Sequence, residues 1–163
     1  KITEQELESN NLVRYVIIRT GWLYGEFRRT FVEDIADSIL EGKRMRLVSD
    51  NYNVPTWTRD LVRGADILLS KRNLKSGIYH LFNGYERAVT KYDIGIYIAE
   101  ILGVSPKNIE RCRYKDIFKF GRLANSILLN SNAPDLPNWK ASLNEYLSAK
   151  YGDVLGLNRR NEE

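Results

Sequence analysis

The chain has 163 residues, 43% hydrophobic and 28% charged, which is enough for one domain with a real core and argues against general disorder. Its net charge of +4 is a small excess that fits a basic surface, a phosphate-bearing ligand or nucleic acid and selects none of them. A single cysteine, Cys112, excludes an internal disulfide, and with a single histidine, His80, no Cys/His metal site is expected.

No apolar run approaches the roughly 18 residues of a membrane span. The amino-terminal residues, rich in Glu and Asn, are unlike a signal peptide. A soluble, cytoplasmic protein in a reducing compartment is the expectation. Residues 1–11 combine good helix formers with a closing Asn10-Asn11, a helix tail and its stop. A strand over Val13 to Arg19 follows, apolar at consecutive positions as in a parallel sheet covered on both faces. Phe27, Phe31, Ile35 and Ile39 then form one row, with Val32, Ala36 and Leu40 beside it, and Gly42 stops this amphipathic helix.

Met45 to Val48 reads as a short strand and Ser49 to Thr56 as a loop, since Pro55 excludes helix before it. Thr58 is placed to cap a helix carrying Leu61, Ala65, Leu68 and Leu69. A second apolar strand runs over Ile78 to Phe82 and ends in Asn83-Gly84. Thr90 and Asp93 make a capping box for a helix presenting Ile94, Tyr97, Ile98, Ile101 and Leu102, closed by Gly103. After a basic, aromatic stretch and a loop with two prolines, a last helix covers about Trp139 to Tyr151. The alternation of strand and helix gives an α/β fold, one unit over residues 1–156 with a tail at 157–163.

No G-x-G-x-x-G turn, Walker loop or Gly-x-Ser-x-Gly elbow is present. His80 in mid-strand reads as a hydrogen-bonded sheet residue, and Cys112 between two arginines as an inert thiol. The stretch from Arg111 to Arg122 interleaves Arg111, Arg113, Lys115, Lys119 and Arg122 with Tyr114, Phe118 and Phe120. That pattern fits a solvated face with an inward aromatic stripe, single-stranded nucleic acid, or one bound nucleotide. In Arg19-Thr20-Gly21-Trp22-Leu23-Tyr24-Gly25, Trp22 and Tyr24 alternate and share a side. Beyond the carboxyl end of a strand, that side is either a ligand crevice or a cap on the core, and the two glycines are read as letting the chain turn away.

The segment from Tyr15 to Phe31, the loop Ser49 to Thr56, Thr58-Arg59-Asp60-Leu61-Val62 and Gly77 to Gly84 resemble, in order and spacing, the carboxyl-terminal half of dTDP-4-dehydrorhamnose reductases. These are extended short-chain dehydrogenases that reduce a 4-keto sugar nucleotide with NADPH or NADH in dTDP-L-rhamnose and polysaccharide biosynthesis. The resemblance covers about residues 1–145 and implies the last parallel strands of a Rossmann-like fold with a small substrate-binding subdomain.

It also implies roles. Lys1 matches the lysine of the family's Tyr-x-x-x-Lys pair, which is catalytic and holds the cofactor ribose. Trp22 matches a residue lining the sugar pocket, with Tyr24 shaping the same wall. Arg122, Asn125 and Ser126 match a segment near the nucleotide diphosphate, although Leu123 stands for the family's Pro and Leu129 for its usual Asp. The tyrosine and the Gly-rich turn would precede Lys1, so the expected partners are a dTDP-sugar and an upstream segment or another chain. A homodimer stays open, with no membrane and no nucleic acid in the leading reading. Two other readings remain: a noncatalytic regulatory nucleotide-binding protein on the same scaffold, and a basic nucleic-acid-binding module.

Overall fold

Val16, Ile17 and Ile18 sit in β1 (Val16–Arg19), which lies parallel to β5 (Gly77–His80) with Val16 opposite Gly77 and Arg19 opposite His80. The computed structural model describes residues 2–9, 14–119, 124–129 and 132–153. Lys1, Phe120, Arg122, Leu123 and the tail at 157–163, all singled out in the sequence, lie outside them. Every residue of β1 is half-buried, short of the full cover expected for it. Helix α1 (Ile2–Ser9) is tied to this strand by a two-pronged pair, Arg19 Nε and Nη2 donating to the Glu4 carboxylate at 3.1 and 2.6 Å.

The remaining strands pair two by two, all parallel. β2 (Trp22–Tyr24) lies beside β4 (Pro55–Trp57), β3 (Met45–Val48) beside β7 (Ile109–Cys112), and β6 (Asn83–Gly84) beside β8 (Leu136–Asn138). Parallel pairs need long crossovers, supplied here by α2 (Phe31–Leu40), α3 (Thr58–Leu69) and α4 (Lys91–Ile101). The last helix, α5 (Trp139–Tyr151), lies where the sequence puts it.

Helix starts follow local chemistry. α2 begins at a full capping box, Thr30 with Glu33, so Phe27 is outside the helix and fully exposed instead of heading its apolar row. α4 begins at the expected box of Thr90 with Asp93. For α3 the cap position is Trp57, without a side-chain bond, and Thr58 is already helical. Gly42 ends α2 at φ 68°, a left-handed conformation that glycine adopts without steric cost. The apolar run expected over Ile78 to Phe82 stops as a strand at His80, although the Leu81 N–H still donates to the Arg19 carbonyl at 2.9 Å.

The core lies between α2, α4 and α5 and the short strands. Val32, Ile35 and Ala36 meet Ile94 and Ile98, with Leu143, Tyr146 and Leu147 closing one side over Tyr24 and Trp57. One buried polar group in it joins four elements. Asn83 donates through Nδ2 to Asp60 and Ser142 at 2.8 and 2.9 Å and accepts the Trp57 N–H at 2.8 Å, joining β6, α3, α5 and β4. No helix among the described residues is long and apolar enough to cross a membrane.

Candidate functional site

Trp22 is held by its backbone, its N–H donating to the Val54 carbonyl at 3.0 Å. The approach is so close that a Cβ on Gly21 would stand 2.2 Å from that same oxygen. Neither Gly21 nor Gly25 has a positive φ. The glycines of this segment therefore supply room for neighbouring chain, and the turn expected of them is not their role. From β2 the Trp22 ring meets Phe31, the first residue of α2, edge to face at 6.0 Å.

That aromatic pair forms one wall of a cavity of about 390 Å³. Val48 and the buried Asn51 contribute from β3 and the loop after it, Lys91 from the start of α4, and Tyr114 and Phe118 close the far side. Tyr114 and Phe118 stack at 4.6 Å. Their turn is fixed by Asp50, whose carboxylate accepts the Tyr114 N–H at 2.7 Å. The Lys91 ammonium stands 5.2 Å from the Phe31 ring and 5.8 Å from the Trp22 ring, within the range where a cation is attracted to an aromatic face.

The loop from Ser49 to Val54 holds other predicted residues beside this cavity. Tyr52 accepts the Ser126 N–H at 3.0 Å and donates to the Ala124 carbonyl at 2.8 Å, pairing the loop with residues 124–126. Asn125 and Ser126 thus lie against the loop that also anchors Trp22, but neither lines the cavity. Asn125 spends its side-chain oxygen on the Ile127 N–H, at 3.0 Å. Lys1 and Arg122 lie outside the described residues.

Tyr24 shares the face of Trp22 on β2 but sits deeper. It is wholly buried and packs edge-on against Tyr146 at 5.2 Å, so it lies in the core and does not line the Trp22 cavity. Its hydroxyl has no hydrogen-bond partner among the described residues, and burial pushes the phenol well above its ordinary range. Tyr24 also borders a larger, more apolar hollow of about 900 Å³ between residues 23–30 and the start of α3. The smaller cavity is the better candidate because it unites Trp22 with rings from the Arg111 to Arg122 stretch.

The other leads resolve into structure. His80 Nδ1 lies 2.7 Å from the Leu129 carbonyl. Cys112 is buried, and that burial pushes its thiol up, against activation. Arg111 packs its guanidinium on the Tyr92 ring at 4.5 Å, away from the cavity. Lys91 and Asn51 escape sequence reasoning. A lysine one place after a helix cap carries no mark of the rings it will face, since those come from distant segments.

A family model described as the RmlD substrate binding domain matches residues 2–151. The chain is 29% identical over 138 residues to the spore coat polysaccharide biosynthesis protein SpsK of Bacillus subtilis, covering 82% of this chain and 47% of that protein. It is 32% identical over 87 residues to a dTDP-4-dehydrorhamnose reductase of Aggregatibacter actinomycetemcomitans, covering 51% and 29%. A crystal structure of a dTDP-4-dehydrorhamnose reductase from Clostridium acetobutylicum superposes with a TM-score of 0.73 at 25% identity, over 83% of this chain and 49% of that one. The chain therefore spans about half the length, or less, of these relatives.

Proposed function

The chain belongs to the RmlD substrate binding domain family, and from that premise we propose that it is the sugar-nucleotide-binding portion of an NAD(P)-dependent reductase. The substrate we assign is dTDP-4-dehydro-L-rhamnose, and the setting is cytoplasmic dTDP-L-rhamnose biosynthesis. The observation that carries this reading is the cavity at Trp22. It offers opposed aromatic pairs, Trp22 with Phe31 and Tyr114 with Phe118, which suit a nucleobase or the apolar face of a sugar. Among the described residues it adds an ammonium group and a buried amide, Lys91 and Asn51, and no carboxylate lines it. Such a hollow suits one nucleotide sugar better than a strand of nucleic acid, which needs a continuous basic groove.

In this reading Trp22 lines the sugar subsite, while Arg122, Asn125 and Ser126 approach the diphosphate. Lys1 serves the cofactor ribose and the catalytic tyrosine of the whole enzyme. The nicotinamide cofactor is not fitted by the described residues: the sequence has no G-x-G-x-x-G turn, and the one residue expected at the cofactor lies outside them. No step of hydride transfer is assigned to them.

The test is a titration of the chain with dTDP, followed by tryptophan fluorescence and checked by calorimetry. Saturable binding that Trp22→Ala weakens about tenfold, with an unchanged thermal transition, is the expected result. Failure of dTDP to bind, beside tight and salt-sensitive binding of single-stranded DNA, would replace this reading with the nucleic-acid one.

A further inference from the structure

We infer that Tyr146 is a positioning residue for the nucleotide in this cavity: from α5, which contributes no wall to the cavity, it clamps the connection between β2 and α2 and so sets the spacing of the Trp22 and Phe31 rings. The inference rests on the reading of the cavity as a nucleotide-sugar site. Trp22 opens β2 and Phe31 opens α2, and residues 25–30 join the two elements. Both ends of that connection meet one buried pair. The Tyr146 hydroxyl lies 3.2 Å from the Gly25 carbonyl and donates to the Glu33 carboxylate, which in turn accepts the Thr30 N–H and hydroxyl at 2.9 and 2.5 Å. No residue of α5 lines the cavity among those described.

A helix cap does not by itself require this arrangement. α4 starts from the same kind of box, yet the Asp93 carboxylate bonds only to Thr90 among the described residues. At α2 the acid is almost wholly buried and takes two further donors from α5, Tyr146 and, at 3.0 Å, Lys150. The Tyr146 ring is set against the strands as well, edge-on to Tyr24 at 5.2 Å and to Trp57 at 5.8 Å, two residues opposite each other in the register of β2 and β4. Burial and the bond to Glu33 push the phenol well above its ordinary range, so the hydroxyl keeps its proton and stays a donor. One hydroxyl thus spans the end of the strand that carries Trp22 and the start of the helix that carries Phe31. Packed side chains and rigid elements pass such a constraint to a site they do not touch. A gap of about 1 Å opened at a ring forfeits up to about half of its dispersion contact with a ligand.

The experiment is a double-mutant cycle on dTDP binding, in which the parent chain, Tyr146→Phe, Trp22→Ala and the double variant are each titrated by calorimetry below their thermal transitions. Tyr146→Phe keeps the ring in the core and removes only the clamp. It is expected to weaken dTDP binding about fivefold in the parent and to add less than about twofold in Trp22→Ala, where the ring it positions is already gone. Lys150→Met removes a donor to the same acid from the exposed side of α5. It is expected to act in the same direction by about twofold, and it takes the place of Tyr146→Phe in the cycle should that variant not fold. Parent-like affinity in Tyr146→Phe, whatever its stability, overturns the inference and leaves the functional reading intact. A loss undiminished in the absence of Trp22 also overturns it, because Tyr146 then acts elsewhere than on that ring. A parent chain that binds no dTDP, or Trp22→Ala binding it as tightly as the parent, removes the functional reading and the inference together.

Discussion

At the scale of single residues, Gly21 and Tyr24 show how neighbours in one short segment do different work. Gly21 is fixed by space, since any side chain there would meet the Val54 carbonyl that anchors Trp22. Gly21→Ala is expected to cost about 2 kcal/mol in urea unfolding and to weaken dTDP binding as well, because the displaced strand carries Trp22 with it. Loss of stability with unchanged affinity would mean that Trp22 does not reach the ligand. Tyr24 buries a hydroxyl with no partner among the described residues, so its oxygen subtracts from stability while its ring contributes. Tyr24→Phe is expected to leave stability unchanged or raise it by up to about 1 kcal/mol, with dTDP affinity unaltered. A loss of affinity in that variant would return Tyr24 to the wall of the pocket, the role its spacing with Trp22 suggests in sequence. Alternation identifies a shared face, but depth along that face depends on what packs there, here Tyr146 from α5.

At the scale of elements, α5 is fastened to α2 through a buried acid. Glu33 is almost wholly buried and takes hydrogen bonds from Tyr146, Thr30 and Lys150. Burial alone would raise its carboxyl, but those donors outweigh it and bring it down to about 2. With the folded value below the unfolded one, Glu33 stabilises the protein above about pH 4.5 and the contribution fades as pH falls towards 2. Glu33→Gln is therefore expected to lower stability by about 2 kcal/mol at neutral pH, with the gap to the parent narrowing below about pH 4.5 and closing towards about pH 2. A gap that stays constant across that range in thermal unfolding would show that the charge of Glu33 contributes nothing. The same residue marks where sequence reading stopped short. Thr30-Phe31-Val32-Glu33 is a capping box in plain letters, yet the apolar row extended back to Phe27 hid it. At Thr90 to Asp93, with no competing row, the box is legible at once.

At the scale of the whole molecule, the parallel α/β character is legible because β1 and β5 announce themselves as apolar runs, and the family through the order of motifs from Tyr15 to Gly84. The pairing of β2 with β4 and of β3 with β7 is not, since strands of three or four residues carry too little period to select a partner. The cavity is legible only in part for the same reason: its rings come from segments nearly a hundred residues apart, and only the fold joins them. Among the described residues β1 pairs on one side only, with β5, and Val16, Ile17 and Ile18 are half-buried with no second strand over the other edge. Backbone groups along a bare apolar edge recruit another strand whenever one is available. The chain taken by itself is therefore expected to self-associate reversibly, its weight-average mass in sedimentation rising with concentration above 18.9 kDa. Ile17→Lys is expected to reduce that association, because a charge beside the edge opposes stacking of a second copy. A monodisperse species at the monomer mass that unfolds in one cooperative step would show that β1 needs no further strand, and that the pairing with β5 and the tie from Arg19 to Glu4 suffice to close this side of the fold.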